Sequence, residues 1–249
     1  LHSTSRRQRQ MCIRDRFQDD VFIQSIKNTF FYFILQVPIM LVVAMVLACI
    51  LNKKDLRFKG FFRTMIFVPC TTSLVAYSII FRSLFANNGL VNYVLVNLGI
   101  LDKPYNFLTQ PFAAKIVIIL ALLWRWTGYN MVFFLSGLQN IEYSVYEAAK
   151  IDGASAIQTF FKITVPLLKP TILLTAIMST NGTLQLFDES INLTDGGPAN
   201  ASISMSHYIY NLCFKYVPNF GYAAAMSFFI LLLVAVLAFI QMRVGDKRD

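Results

Sequence analysis

The sequence predicts an all-α fold, a polytopic bundle of transmembrane helices, and two observations carry this prediction. First, 56% of the 249 residues are hydrophobic, only 14% are charged and the mean hydropathy is +0.56, which is more apolar than a soluble domain. Second, five apolar windows each approach the roughly 20 residues that cross a hydrocarbon core. Backbone groups in that core have no water to bond, so each window should be helical. The five predicted spans are residues 28–52, 64–81, 113–138, 170–187 and 217–242.

Taken in chain order, the spans differ in the polar residues that they contain. The first and second are nearly uninterrupted and have one proline each, Pro38 and Pro69, which removes a backbone hydrogen bond and can kink a helix. The third contains Arg125 between two tryptophans. The fourth has a dense polar run at residues 179–185, where Gly182 should weaken or bend the helix. The fifth is nearly uninterrupted.

The basic residues predict how the spans are oriented. Lysine and arginine concentrate after the first and the last span, and cytoplasmic segments carry such an excess. Alternation of spans then places residues 139–169 in the cytoplasm, and residues 82–111 and 188–216, with only three basic residues, outside. The net charge of +9 therefore reflects membrane topology and indicates no nucleic-acid partner. The basic residues are Lys53, Lys54, Arg57, Lys59 and Arg63 after the first span, and Arg243, Lys247 and Arg248 after the last.

Residues 1–16 do not fit this topology. They hold five arginines against Asp15, yet five spans with a cytoplasmic C-terminus place them outside. Either a first span is missing and a foreign leader precedes the native chain, or the topology is inverted. Inversion would put the basic cluster at residues 53–63 outside, so we favour a basic leader, foreign or disordered, in front of a transmembrane domain at residues 17–249. The leader lacks the apolar core of a signal peptide.

Residues 139–169 form a polar loop that contains the pattern E-A-A-x-x-D-G-A. About thirty residues is long for a connection between spans. Two capping boxes predict two short helices, a glycine that accepts the left-handed conformation should end the first, and the second should end by Pro166. The residues alone leave two interpretations open, a hairpin lying on the membrane and an element that docks on another protein. The boxes are Ser144 with Glu147 and Ser155 with Gln158, and the glycine is Gly153.

Polar residues in the third and fourth spans are candidates for a solute path. An arginine facing lipid would cost a few kcal/mol, so Arg125 should either reach the outer headgroups beside its tryptophans or line a polar cavity. The run in the fourth span either packs helices or lines the path, where amides and hydroxyls suit an uncharged, hydroxyl-rich solute. The candidate path residues are Arg125, Asn130, Asn181, Thr183 and Gln185.

Histidine and cysteine usage does not indicate catalysis or metal binding. The sequence has four cysteines without paired spacing and two histidines, which predict neither a disulfide framework nor a metal site. It also contains no G-x-x-x-x-G-K-[ST] nucleotide loop. We therefore expect a protein that is not an enzyme and that binds no cofactor or metal of its own.

Several segments together resemble one known family. From about residue 17 to residue 244 the chain is similar to carbohydrate ABC transporter permeases, the inner-membrane components of binding-protein-dependent importers of the lactose, maltose and glycerol-phosphate type. This resemblance implies the type I ABC importer permease fold, with six spans in the family against five here, and a location in the bacterial cell membrane. The segments are EAAKIDGASAIQTFFKITVPLLKP, WRWTGYNMVFFLSGLQNI and LTDGGPANAS.

The resemblance also implies a function for the polar loop. In such permeases it forms a coupling helix that docks on a cytoplasmic ATPase, which binds the ATP and magnesium. The implied partners are a second permease, two ATPase copies, an extracytoplasmic sugar-binding protein and membrane lipid, and an uncharged sugar is the favoured substrate. The alternative is a self-contained channel or secondary carrier for a small polar solute, although the sequence shows no inverted repeat. The implied docking residues are Glu147, Ala148, Ala149, Asp152, Gly153 and Ala154.

Overall fold

The computed structural model describes residues 19–53 and 56–245. Within these ranges the chain is helical and forms no strand. The predicted leader at residues 1–16 lies outside the described residues. Of two π-helical segments, Phe160–Thr164 joins two short helices and Asn211–Lys215 extends the helix that ends at Tyr210. The α-helices are α1 (Asp20–Asn52), α2 (Lys59–Thr71), α3 (Leu74–Leu84), α4 (Leu90–Asn97), α5 (Pro111–Gln139), α6 (Tyr143–Ile151), α7 (Ala156–Thr159), α8 (Val165–Leu167), α9 (Lys169–Leu184), α10 (Asp188–Thr194), α11 (Met205–Tyr210) and α12 (Phe220–Gly245).

Three of these helices, α1, α5 and α12, are each long and apolar enough to cross a membrane. With 33 residues, α1 extends over about 50 Å and continues through Pro38 as one helix. Two bent pairs, α2 with α3 and the Ala156–Leu167 segment with α9, raise the number of candidate spans in the described ranges to five.

The second predicted span, residues 64–81, consists of two helices bent by 98° rather than one. Thr72 has an extended backbone between them. Its N–H donates to the Pro69 carbonyl at 3.3 Å and its hydroxyl to the same oxygen at 2.6 Å. Because the hydroxyl takes over a carbonyl that a continuing helix would have bonded, the break is stabilised locally.

The fourth predicted span, residues 170–187, corresponds to α9, which ends at Leu184. The expected weakening at Gly182 is not seen, because the helix continues through this residue. The preceding segment also differs from prediction: it runs through Pro166 to Leu167 and bends by 70° before α9. Pro166 is the second residue of α8, and proline is tolerated at such an early helical position.

The start of α1 is capped by Asp19. Its Oδ1 accepts hydrogen bonds from the backbone amides of Val21 and Phe22 at 3.0 and 3.3 Å, as an N-cap residue does. Its Oδ2 accepts from the hydroxyls of Tyr208 and Tyr222 at 2.6 and 2.7 Å. Partial burial raises the pKa of Asp19, but these hydrogen bonds outweigh it and the pKa lies below its usual value. The carboxylate thereby joins α1 to α11 and α12.

The chain divides into two compact units. Unit 1 comprises the described residues of Leu1–Leu35, Ser73–Ala121 and Asn181–Ala235, and one of its clusters packs Phe22, Ile203, Tyr208, Leu212, Ala223 and Met226. Unit 2 comprises those of Gln36–Thr72, Leu122–Thr180 and Val236–Asp249. The core of unit 2 contains Ala44, Met45, Ala48, Leu51, Met131, Phe134, Leu135, Leu138 and Leu168.

Candidate coupling loop and substrate path

The polar loop of unit 2 turns sharply at Gly153. This residue has φ +76°, in the left-handed region that glycine favours. The N–H of Gly153 donates to the carbonyl of Lys150 at 3.2 Å, and that of Ala154 to the carbonyl of Ala149 at 2.9 Å. These two bonds form a Schellman motif at the end of α6. The predicted glycine elbow is confirmed.

One of the two predicted capping boxes forms and the other does not. The Gln158 N–H donates to Ser155 Oγ at 3.3 Å, and the Ser155 N–H donates to Gln158 Oε1 at 2.8 Å, so the second box is confirmed. The prediction for Ser144 with Glu147 is wrong. The helix begins one residue earlier, with Glu142 as N-cap, and the Ser144 hydroxyl donates to Glu142 Oε2 at 3.2 Å.

The predicted docking residues occupy different sides of the loop. Glu147, Ala148, Asp152 and Gly153 are exposed, and Ala154 is half-buried. Ala149 is only 6% exposed, so its methyl group supports the loop from inside.

Apolar side chains on the same loop surround these exposed residues. Ile151, Ile157 and Phe161 are 85, 72 and 66% exposed. Exposed apolar side chains grouped between polar residues are typical of protein interaction sites. These three residues were not predicted from the sequence, in which their place in short helices rich in polar residues is the one available signal.

The loop is attached to the bundle through the hydrophobic core of unit 2. Ile141, Phe160 and Val165 pack against the buried cluster that includes Leu138 of α5 and Leu168 at the bend before α9. Protein interiors pack densely and are difficult to compress. A force applied to the loop would therefore reach α5 and α9 through these side chains.

Arg125 lies at the break between α2 and α3. Only 6% of the residue is exposed. Its Nη1 donates to the Thr72 carbonyl at 2.7 Å, and its guanidinium lies over the Trp126 ring at 5.4 Å. A cation suits the C-terminus of a helix, where carbonyl groups are left without helical partners. The structure thus places the Arg125 guanidinium at the C-terminal end of α2.

Asn130 and the first part of the polar run join helices. Asn130 Nδ2 donates to the Trp126 carbonyl at 3.1 Å, and Oδ1 accepts from the Ser179 hydroxyl at 3.2 Å. Thr180 Oγ1 accepts from Gln241 Nε2 at 2.7 Å. These bonds connect α9 with α5 and α12, so this part of the run packs helices.

The remaining candidate path residues belong to unit 1. Asn181 and Gln185 are exposed one helical turn apart, and Gln185 Nε2 donates to Asn181 Oδ1 at 2.7 Å. Thr183 is buried. Gln185 also lines a cavity of about 570 Å³, together with Ser206, Ser227 and aliphatic residues of α11 and α12. The structure therefore brings Asn181 and Gln185 together and adds two hydroxyl groups that the sequence did not indicate.

A second cluster missed by sequence reasoning surrounds His207 in unit 1. The imidazole is fully buried, and its Nδ1 lies 2.9 Å from the Ser190 hydroxyl. Nε2 lies 3.7 Å from Asp195 Oδ1, and Asp195 is bonded by Lys215 at 2.9 Å. Burial lowers the pKa of His207 to about 4 against the opposing effect of Asp195. The imidazole is therefore neutral at physiological pH and acts as a packed polar group.

Metal-binding geometry is not found in the part of the chain that the structure describes. No group of three or more His, Cys, Asp or Glu side chains there could hold an ion. Membrane-length helices and an exposed helix–glycine–helix loop define a multi-pass membrane protein.

Comparison with known proteins makes this class specific. Residues 21–248 match the family described as binding-protein-dependent transport system inner membrane component, and the chain belongs to that family. It is 54% identical over 234 residues to the lactose transport system permease protein LacF of Rhizobium radiobacter, covering 93% of this chain and 78% of LacF. It is 32% identical to the arabinooligosaccharides transport system permease protein AraP of Bacillus subtilis (strain 168), covering 91% and 72%.

Solved structures share the fold. A bacterial ABC transporter that imports the acidic polysaccharide alginate matches with a TM-score of 0.86 at 24% identity, over 94% of this chain and 82% of the other. The alginate transporter in complex with an alginate pentasaccharide-bound periplasmic protein gives a TM-score of 0.85 at 25% identity, over the same shares. The prediction of an all-α type I importer permease fold is confirmed, and the chain is a multi-pass component of the bacterial plasma membrane.

Proposed function

We propose that this chain is the permease subunit of an ATP-driven sugar importer, and that it couples to a separate ATPase through its polar loop. The observation that carries the proposal is the exposed elbow at Gly153, held by a Schellman motif and surrounded by Ile151, Ile157 and Phe161. Exposed apolar side chains on a rigid, hydrogen-bonded turn suit insertion into a groove of a partner.

Coupling follows from how the loop is supported. Docking would place Glu147, Ala148, Asp152 and Gly153 against the ATPase, with Ala149 and Ala154 supporting the turn. Closure of two ATPase copies, which bind ATP and magnesium, would move the loop. The packed contacts of Phe160 and Leu168 would then transmit that movement to α5 and α9. A second permease completes the path, and an extracytoplasmic binding protein delivers the substrate.

The substrate class is inferred from relatives and from the path residues. The relatives named above are permeases for lactose and arabinooligosaccharides. Gln185, Ser206 and Ser227 offer amide and hydroxyl groups to the cavity of unit 1, and Asn181 is bonded to Gln185. These groups donate and accept hydrogen bonds without requiring a charged ligand, so an uncharged mono- or oligosaccharide is the proposed substrate.

Substitution of Gly153 tests docking. Gly153→Val removes the left-handed elbow, because a β-branched residue disfavours positive φ, and it should abolish ATP-driven lactose uptake and ATPase co-purification while membrane insertion persists. Gly153→Asn should retain most uptake, because asparagine tolerates this conformation.

Gly99 offers a matched control for that experiment. It has φ +69°, and, as at Gly153, no atom lies within 4 Å of where a Cβ would be. Gly99→Val therefore imposes similar backbone strain away from the loop and should leave ATPase co-purification unchanged. Normal coupled transport by Gly153→Val would contradict docking, and uptake by the chain alone in ATP-depleted vesicles would favour a self-contained carrier.

A further inference from the structure

A cavity of about 680 Å³ lies within unit 2, beneath the coupling loop. Its wall includes the end of α1, the end of α5, both helical parts of the loop and the π-helical segment. The cavity therefore lies where the loop meets the ends of two membrane-length helices, α1 and α5. The loop packing and the docking proposed above do not require a cavity at this place.

The charges on the cavity wall are all positive. Lys53, directly after α1, and Lys150, in the last turn of α6, both line it. Among the described residues of the wall, none is acidic. Neither lysine is in a salt bridge with any residue of the described ranges. Two lysines on the wall of one cavity, without a carboxylate among the described wall residues, give it a positive potential that favours an anion.

The neutral residues of the wall suit a ligand with a polar head and an apolar part. Tyr143, Tyr146 and Gln139 add hydroxyl and amide groups, which can donate to anionic oxygens. On another side, Leu138 and Phe160 expose part of the hydrophobic core of unit 2 to the cavity.

The geometry points to a binding site for a phosphate-bearing ligand held between Lys53 and Lys150. Ammonium groups bind phosphate as point charges. The site lies at the predicted cytoplasmic ends of α1 and α5, where each basic side chain contributes about 1 kcal/mol to attraction toward anionic lipid. The headgroup of an anionic phospholipid and a soluble phosphate share this chemistry. A bound phosphate would link α1 to α6 and brace the coupling loop.

The test uses the complete transporter, purified through this chain and reconstituted in nanodiscs of phosphatidylcholine with and without phosphatidylglycerol. Native mass spectrometry counts the retained phosphatidylglycerol. Lys53→Gln and Lys150→Gln should each lower its binding about fivefold, the equivalent of about 1 kcal/mol, whereas Lys150→Arg should retain it. Arg57→Gln is the matched control, because Arg57 is exposed in the same basic segment but does not line the cavity.

A second arm distinguishes the source of the phosphate. In nanodiscs of phosphatidylcholine alone, inorganic phosphate is titrated and the unfolding temperature is measured. If inorganic phosphate raises the unfolding temperature of the wild type and of neither glutamine variant, the ligand is a soluble phosphate. If the variants lose only the retained phosphatidylglycerol, the ligand is a lipid. If the two lysines only offset the helix dipoles of α1 and α6, the glutamine variants would change stability but would not change ligand binding. Unchanged binding in both arms for both glutamine variants would overturn the proposal.

Discussion

At the scale of single residues, His207 is a buried ionisable group whose neutral form the fold requires. Its ring contacts the Ser190 hydroxyl, and the charged neighbours that face it are Asp195 and Lys215. Burial lowers its pKa to about 4, below the ordinary value near 6.5. Between these two values the unfolded chain binds a proton that the folded chain does not. The free energy of unfolding should therefore fall as the pH falls through this window.

Thermal unfolding of the detergent-solubilised protein measures this effect. From about pH 7 to about pH 5 the contribution of His207 is a loss on the order of 2 kcal/mol. His207→Gln, which cannot take up a proton, should show a smaller drop in unfolding temperature over the same interval. Asp19 titrates below this window, because its pKa lies under its usual value. An equal drop in the variant and the wild type would contradict the assignment.

Local sequence determines the conformation of some residues of the polar loop and not that of others. Gly153 and the Ser155 box are predictable because their bonds lie within five residues. The Ser144 box fails because Glu142 takes the cap position two residues earlier. Arg125 could not be placed from sequence, since its partner is a backbone carbonyl of Thr72, 53 residues away.

At the scale of elements, α5 crosses α2 in close contact at Gly128. A Cβ on Gly128 would lie 2.8 Å from the Ile66 carbonyl carbon and 3.1 Å from Phe67 Cα. Both neighbours are backbone atoms, which cannot move without moving α2. Together with the bond from Arg125 to Thr72, this contact fixes α2 to α5 at two points about one helical turn apart.

Gly128→Ala tests the crossing. The added methyl group should force α2 and α5 apart and lower stability by about 1 to 3 kcal/mol, as overpacking does. Gly60→Ala is the control on α2, because no atom lies within 4 Å of a Cβ there and alanine favours helix. Thermal unfolding should show a lower midpoint for Gly128→Ala and an unchanged or slightly higher one for Gly60→Ala. Equal midpoints would show that the crossing is not tightly packed.

The elements also show why hydropathy alone could not define the spans. In the window at residues 64–81 Pro69 indicates a kink, but the mean hydropathy of the window carries no signal for a 98° break. The break depends on the Thr72 hydroxyl and on Arg125 from α5. Conversely, α1 continues through Pro38, because a single missing hydrogen bond is compensated within a long helix.

At the scale of the whole molecule, the apolar helices and the polar loop expose two different kinds of surface. Only 17% of the most apolar window of α12 is buried within the chain, as expected for a helix that contacts lipid or another subunit. The loop instead exposes Ile151, Ile157 and Phe161 among polar residues. Composition predicts the first surface. The second required the structure, because apolar residues in short helices are more often part of a core.

Site-specific photo-crosslinking tests the central claim most directly. A photoreactive amino acid is placed at Ala148, exposed on the loop, and as a control at Lys103, exposed in the segment predicted to be outside. In membranes containing the whole transporter, Ala148 should form an adduct with the ATPase subunit, and Lys103 should form none with it. Absence of an ATPase adduct at Ala148 in a preparation that still transports sugar would contradict docking of the loop.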